Sequence, residues 1–423
     1  IAVAGYKMND FEPYIYKLTD FGKRWMRLDS DLPDDKFVRV VRADPEREGL
    51  LYAGSEGGLF VSFDDGDHWQ SLNMNFPTVP ITDLRVRQNT LIAATQGRGF
   101  WALDELTVIR QLNVNLSEKR LHVFKPKPSS LMRWGGRTAA NEGKNPPSGV
   151  VFSYFLAEEF EGPLSIDIRD TDGTVVRTYS SEERDFDRCV MGNMTPRLAF
   201  SMKYPPMKPG LNQWTWDMRK EGLTCIDDIR LFAGFSGPTV TPGQYSVSVR
   251  IGDHSDSASF ALSADPRVDA SPEDYLFLDA KRSEAATMLN ELLEALDNAR
   301  IARARIEALV LDSGNNAALK ALSEKAVNKL NTWENLVTQT GYKTYEDEDS
   351  MPPMLDVHIR HVFDVIDRAG APVSEGSLQR LSDLREQWLI AKAQLVAITE
   401  SELSQINEWA QENNVLHVAA PID

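Results

Sequence analysis

With 423 residues, 42% of them hydrophobic and 26% charged, the chain reads as ordinary globular protein of about two to four domains. Its formal net charge of −17 argues against nucleic acid or an anionic membrane surface as the main partner, and no apolar run approaches the ~18–20 residues of a membrane span. Two cysteines, Cys189 and Cys225, exclude a disulfide-rich scaffold; they can pair in an exported protein or stay free in one that is not exported.

Ile1–Tyr6 reads as a strand, and with no basic n-region or cleavage site no signal peptide is visible in the chain. Leu50–Leu72 then holds three short strands. Leu51–Gly54 ends at a glycine, Leu59–Phe63 alternates into the turn Asp64-Asp65-Gly66, and Trp69 opens the third. Within it, Ser62-x-Asp64-x-Gly66-x-x-Trp69 is a turn signature. A carboxylate can accept turn N–H groups, glycine can take positive φ, and tryptophan can cover the hairpin. The stretch repeats upstream, where Tyr16, Gly22 and Trp25 align with Phe60, Gly66 and Trp69, and Asp20 with Asp64. Leu18 stands where Ser62 would be. A weaker copy, Leu91–Asp104, keeps two inner strands but lacks the glycine and the tryptophan. A repeat of about 40–50 residues with several strands per unit is the signature of propeller blades.

These motifs carry a resemblance. PYIYKLTDFGKRW, LLYAGSEGGLFVSFDDGDHW, ATQGRGFWALDELTVIRQL, LNQWTWDMR and PGQYSVSVR follow one another as in the C-terminal portion of bacterial BNR/Asp-box β-propeller proteins. That family is sortilin-related, and its members are commonly labelled glycosyl hydrolases. The resemblance implies that residues 1–112 are the last blades of a propeller and that the protein is exported to the periplasm or the exterior. It also implies that the remaining blades belong to the same polypeptide or to a partner chain. A fragment of a longer polypeptide is the favoured expectation, because so few blades cannot close a propeller.

Residues 113–148, rich in Pro, Gly and Ser, read as a linker in which Trp134 packs rather than stacks sugar. Residues 149–265 alternate as strands: Val150–Leu156, Leu164–Arg169, Thr174–Tyr179, Leu211–Met218, Gln244–Ile251 and Ala258–Ser263. They resemble the immunoglobulin-like β-sandwich that follows the propeller in that family. Asp170-x-Asp172-Gly173 reads as a hairpin turn, not a calcium loop. Trp214 and Trp216 share one strand face and read as core rather than a carbohydrate platform. Ser180–Met207 is an irregular excursion.

From Ser271 the period becomes helical. Ser271-Pro272-Glu273-Asp274 is a helix start, and the helix runs to about Asp312 with Ala285, Leu289, Leu292, Leu296, Ala299, Ala302, Ile306 and Leu309 at near-heptad spacing. Further helices are expected at about Ala317–Thr338, Leu355–Ala369 and Ser377–Glu412, making 271–423 an antiparallel helical bundle. Apolar residues beside the seam, such as Leu293, Leu389 and Ile390, predict that the helices are covered on a second side.

No catalytic constellation, metal site or cofactor site is legible. His358, His361 and Asp364 share a helix face but read as solvated polar residues, and Glu346–Asp349 as a solvated acidic loop. A glycosidase needs two carboxylates across a sugar, and 63 acidic residues make any pairing by sequence worthless. The Asp-box residues Ser62, Asp64, Gly66, Trp69, Asp20, Gly22 and Trp25 are expected to be structural. The favoured reading is a non-catalytic scaffold or interaction module. Two alternatives are part of a glycoside hydrolase (sialidase-like or other glycan-cleaving) whose catalytic residues lie in other blades, and a sortilin-like peptide receptor. The ligand implied is a glycan or a peptide.

Overall fold

A computed structural model describes every residue except 113, 133–146, 194–202, 232, 315, 343, 345, 414 and 416–423. The expected linker, including Trp134, lies largely outside the described residues. The fold is mixed: small antiparallel sheets come first and a helical region comes last. The chain divides into two compact units, one from Ile1–Pro126 and the other from the described residues from Lys127 onward.

The first unit holds three antiparallel sheets in chain order. The first is β1 (Ala2–Val3), β2 (Tyr14–Thr19) and β3 (Arg24–Arg27). The second is β4 (Val38–Ala43), β5 (Leu51–Ser55), β6 (Gly58–Ser62) and β7 (Gln70–Ser71), and the third is β8 (Ile81–Arg87), β9 (Thr90–Thr95) and β10 (Phe100–Leu103). Each is a meander, and the two-residue connections Glu56-Gly57 between β5 and β6 and Gln88-Asn89 between β8 and β9 are tight turns that set the register there. The middle sheet is buried on both faces. Tyr52, Leu59 and Val61 pack with Ile81, Leu84 and Leu91 of the third sheet, whereas Ala53 and Phe60 pack with Ile15 of the first. Successive strand residues point to opposite faces, so a doubly covered strand must be apolar throughout; hence the nearly unbroken apolar runs of β5 and β6. The expected strand Ile1–Tyr6 is shorter. Its pairing with β2 ends at Val3, with Ile1 exchanging backbone bonds with Tyr16 at 2.7 and 2.8 Å, and Tyr6–Met8 form a 3-10 turn because the Gly5 carbonyl accepts the Met8 N–H at 2.8 Å and bends the chain away. A short helix, α1 (Thr107–Gln111), follows, then β11 (Leu121–Val123).

In the second unit, β12 (Ser129–Ser130), β14 (Leu164–Arg169), β15 (Val175–Ser180), β17 (Gly243–Ile251) and β18 (His254–Ser263) form one sheet in the order β12-β18-β17-β14-β15. β13 (Val150–Leu156) pairs antiparallel with β16 (Gly210–Trp216). Side chains from the two pack together: the Trp216 ring lies 5.3 Å from Tyr245 and 6.1 Å from Phe260. The Ser180–Met207 excursion contains a helix that sequence patterning did not reveal, α2 (Asp185–Asn193), and Cys189 on it is disulfide-bonded to Cys225.

The helical region begins at Ser271 as the capping signal requires. The Ser271 hydroxyl accepts the Asp274 N–H at 3.1 Å, and the Asp274 carboxylate accepts the Ser271 N–H at 2.9 Å. α3 (Pro272–Asp312) is followed by α4 (Ala317–Val337) and, after a single helical turn at Asp347–Ser350, by α5 (Leu355–Ala369). α6 (Glu375–Ile398) does not run straight to Glu412: a π-helical turn at Thr399–Leu403 separates it from α7 (Ser404–Glu412). α3 packs on α4, α5 and α6, and its near-heptad residues are all buried. Leu293, on its second side, shares a core with Leu223, Ile226, Ile229, Leu231 and Phe235 from the segment between β16 and β17. Second-side cover therefore exists for Leu293, but Leu389 and Ile390 stay 57% and 55% exposed. Among the described residues no helix is long and apolar enough to cross a membrane.

Candidate functional site

Two constellations stand out: the turn after β6, and a buried ionic joint in the second unit. In the turn, Asp65 and Gly66 adopt φ of 62° and 99°, and a Cβ on Gly66 would meet Leu28 at 3.0 Å. The Ser62 hydroxyl donates to Asp64 Oδ1 at 2.9 Å and accepts the Gly66 N–H at 2.9 Å. Asp64 also accepts the His68 N–H at 2.9 Å, and its other oxygen lies 2.7 Å from His68 Nδ1. Partial burial pushes the Asp64 carboxyl up, but the bonds from His68 and Ser62 outweigh it and hold the group below its ordinary range. The same contact raises the His68 imidazole. Trp69 is buried, its indole N–H donating to the Leu28 carbonyl at 2.7 Å and its backbone N–H to Asp31 at 3.1 Å.

The upstream copy is built differently. Asp20, Phe21 and Gly22 all have positive φ, but Leu18 offers no hydroxyl to bond the turn, and Asp20 pairs with Arg24 at 2.9 Å. Trp25 is 57% exposed, its indole N–H donating to the Gly22 carbonyl at 2.9 Å. Ser62, Asp64, Gly66 and Trp69 thus come together in one closed turn, whereas Asp20, Gly22 and Trp25 form an open one.

The joint centres on Asp367 of α5, which is 2% exposed. Its carboxylate accepts the Thr239 N–H at 2.9 Å, the Thr239 hydroxyl at 3.1 Å and Arg219 Nη1 at 3.0 Å, and lies 3.2 Å from Arg282 Nε on α3. Arg282 also donates to the Thr239 carbonyl at 2.8 Å. Arg219 and Thr239 are bridged at the base of the long segment between β16 and β17. About two turns before Asp367, Arg360 donates to the carbonyls of Gly234 and Ala233 at 2.7 and 2.8 Å, and burial lowers its guanidinium to about 10. Gly237 is required here, since a Cβ would meet the Glu221 carbonyl oxygen at 1.9 Å. Lys220 to Asp279, at 2.8 Å, and the Cys189–Cys225 disulfide fasten the same segment at its edges. A buried carboxylate shared by two arginines and a threonine can position backbone; every contact described here goes to structure.

Sequence reasoning did not find this joint, because its partners lie 128 and 148 residues apart. The residues it did single out are dispersed. Asp364 pairs with Arg368 at 2.8 Å rather than with a histidine, His361 is exposed, and burial pushes His358 below its usual range. Trp216 is fully buried and has no face open to a sugar; Trp214 lies edge-on to Tyr179 at 5.3 Å. Among the described residues no group of three His, Cys, Asp or Glu side chains is placed to hold a metal ion.

No family model matches the chain. No curated protein matches it either. Among solved structures it is similar to the extracellular domain of a hybrid two component system from B. thetaiotaomicron, at 6% identity and a TM-score of 0.19, covering 60% of this chain and 29% of that one; a likeness at that level carries no argument about fold or function.

Proposed function

We propose that the chain is a non-catalytic scaffold, the C-terminal portion of an exported Asp-box propeller protein of the sortilin-related family. On this reading the sheets of the first unit are propeller blades, and Ser62, Asp64, Gly66 and Trp69 lock a blade turn. The sheets of the second unit form an immunoglobulin-like sandwich braced by a helical bundle. The observation that carries the reading is the Asp367 joint, which ties the segment between β16 and β17 to α3 and α5 through buried charge. Such a joint holds position and offers no open group to a substrate. The Cys189–Cys225 disulfide supports export, since such bonds persist in oxidising compartments. Any partner, whether further blades, a glycan or a peptide, is held rather than turned over. The test is a glycoside panel assayed with the purified protein. No hydrolysis is expected; turnover that vanishes when one carboxylate of this chain is neutralised, with the fold intact, overturns the proposal in favour of a glycoside hydrolase.

A further inference from the structure

The helical region carries an open trough between α4 and α6. Two hollows, of about 670 and 350 Å³, share Leu336, Met354 and Gln394 as lining and so run together. Trp333 and Ala391 form the floor, the Trp333 indole N–H donating to the Ala391 carbonyl at 2.8 Å. Leu336 and Ile390 form apolar walls, 44% and 55% exposed. The α6 wall runs from Gln387 to Ile398, which at 1.5 Å per residue is roughly 16 Å, or about three helical turns.

Charge selects the occupant. The chain has 63 acidic residues and a net charge of −17, yet among the described residues lining the trough none is Asp or Glu. At one end Lys329, which lines the trough, and Lys325 share a single carboxylate, Glu402, on the π-helical turn. Two cations on one anion leave an excess positive charge at that rim, and both lysines are about half exposed.

We infer that this trough docks an amphipathic helix of another protein, about three turns long, with an apolar i, i+3/i+4, i+7 face and carboxylates along the edge that meets Lys329. The apolar face fills the trough beside Leu336, Met354 and Ile390, and the flexible Met354 thioether adapts to it. The acidic edge meets a rim at which Lys325 and Lys329 outnumber Glu402.

The test uses two fluorescein-labelled synthetic helical peptides of about 15 residues, each with leucine along one face. One carries glutamate on its flanks and the other lysine. Anisotropy titration of the intact protein should show the glutamate peptide binding at least roughly tenfold more tightly. Ile390→Asp, at an exposed position, should weaken that binding by roughly tenfold or more, and Lys329→Glu should reverse the preference. Absence of binding, or equal binding of the two peptides, overturns the inference. So does concentration-dependent self-association abolished by Ile390→Asp, which would make a second copy the occupant.

Discussion

Removing the Asp367 carboxylate should be among the most damaging single changes in the second unit. Asp367→Ala leaves the Arg282 guanidinium, whose side chain is 5% exposed, without its buried counter-charge, and takes an acceptor from Arg219 and from both donors of Thr239. Stranding a buried partner in this way costs about 3–5 kcal/mol. For a unit of this size, at roughly 2 °C per kcal/mol, that corresponds to a fall of about 6–10 °C in Tm. Most of the loss is the penalty of the stranded arginine, not the worth of the pair. Arg282→Met should therefore rescue it, so that Asp367→Ala in the Arg282→Met background costs less than about 1.5 kcal/mol. Urea titrations of the four proteins in the cycle provide the measurement, read at the midpoint with the slope held common. A loss below about 1 kcal/mol for Asp367→Ala alone, or equal losses in both backgrounds, would refute the reasoning.

Asp64→Ala should cost about 1–2 kcal/mol through the lost bonds to Ser62 and His68, with no loss of any activity that survives folding. Because the Asp64 pKa is lowered, its contribution is present above the ordinary carboxylate range and is lost as pH falls through the lowered value, which a melt at acid pH reads directly. Asp356, in the first turn of α5, has one oxygen without a partner, and burial pushes its carboxyl up to about 6. A raised carboxyl pKa favours the protonated folded form, so stability should fall by about 3 kcal/mol as pH rises from about 4 to 6. Asp356→Asn should flatten that dependence and be the more stable protein at pH ~8; a less stable variant there would contradict the assignment. Opening the Cys189–Cys225 bond, which closes a separation of 36 residues, should cost about 3–4 kcal/mol and expose α2 to protease, and an unchanged melt under reductant would show that the bond is incidental.

What was legible in the sequence is what local physics determines. α3 starts at Ser271 because a capping box and a proline act within four residues, and α5 spans Leu355–Ala369 as its periodicity requires. The strands β5, β6, β13 and β14 follow from apolar runs closed by turn residues. The π-helical turn at Thr399–Leu403 left no mark, since Glu402 is bonded there by Lys325 and Lys329 from another helix. α2 was hidden because only a short apolar face, with Val190 buried and Phe186 partly so, meets the helical core. Leu389 and Ile390 were expected under cover, but an apolar residue beside a seam does not say whether anything lies over it. The joint was invisible for a different reason. Asp367 is one carboxylate among 63, and only the fold brings Arg219, Thr239 and Arg282 to it.

Hydrogen exchange of the intact protein tests the central claim, that the segment between β16 and β17 belongs to the helical core and makes the second unit a rigid scaffold. The Lys220, Thr239 and Val240 amides donate to the Pro238 carbonyl, the Asp367 carboxylate and the Met218 carbonyl at 2.8, 2.9 and 2.9 Å. These amides are predicted to exchange as slowly as those in the middle of α3, and to speed up together in Asp367→Ala. Fast exchange at these three positions while α3 remains protected would contradict the account.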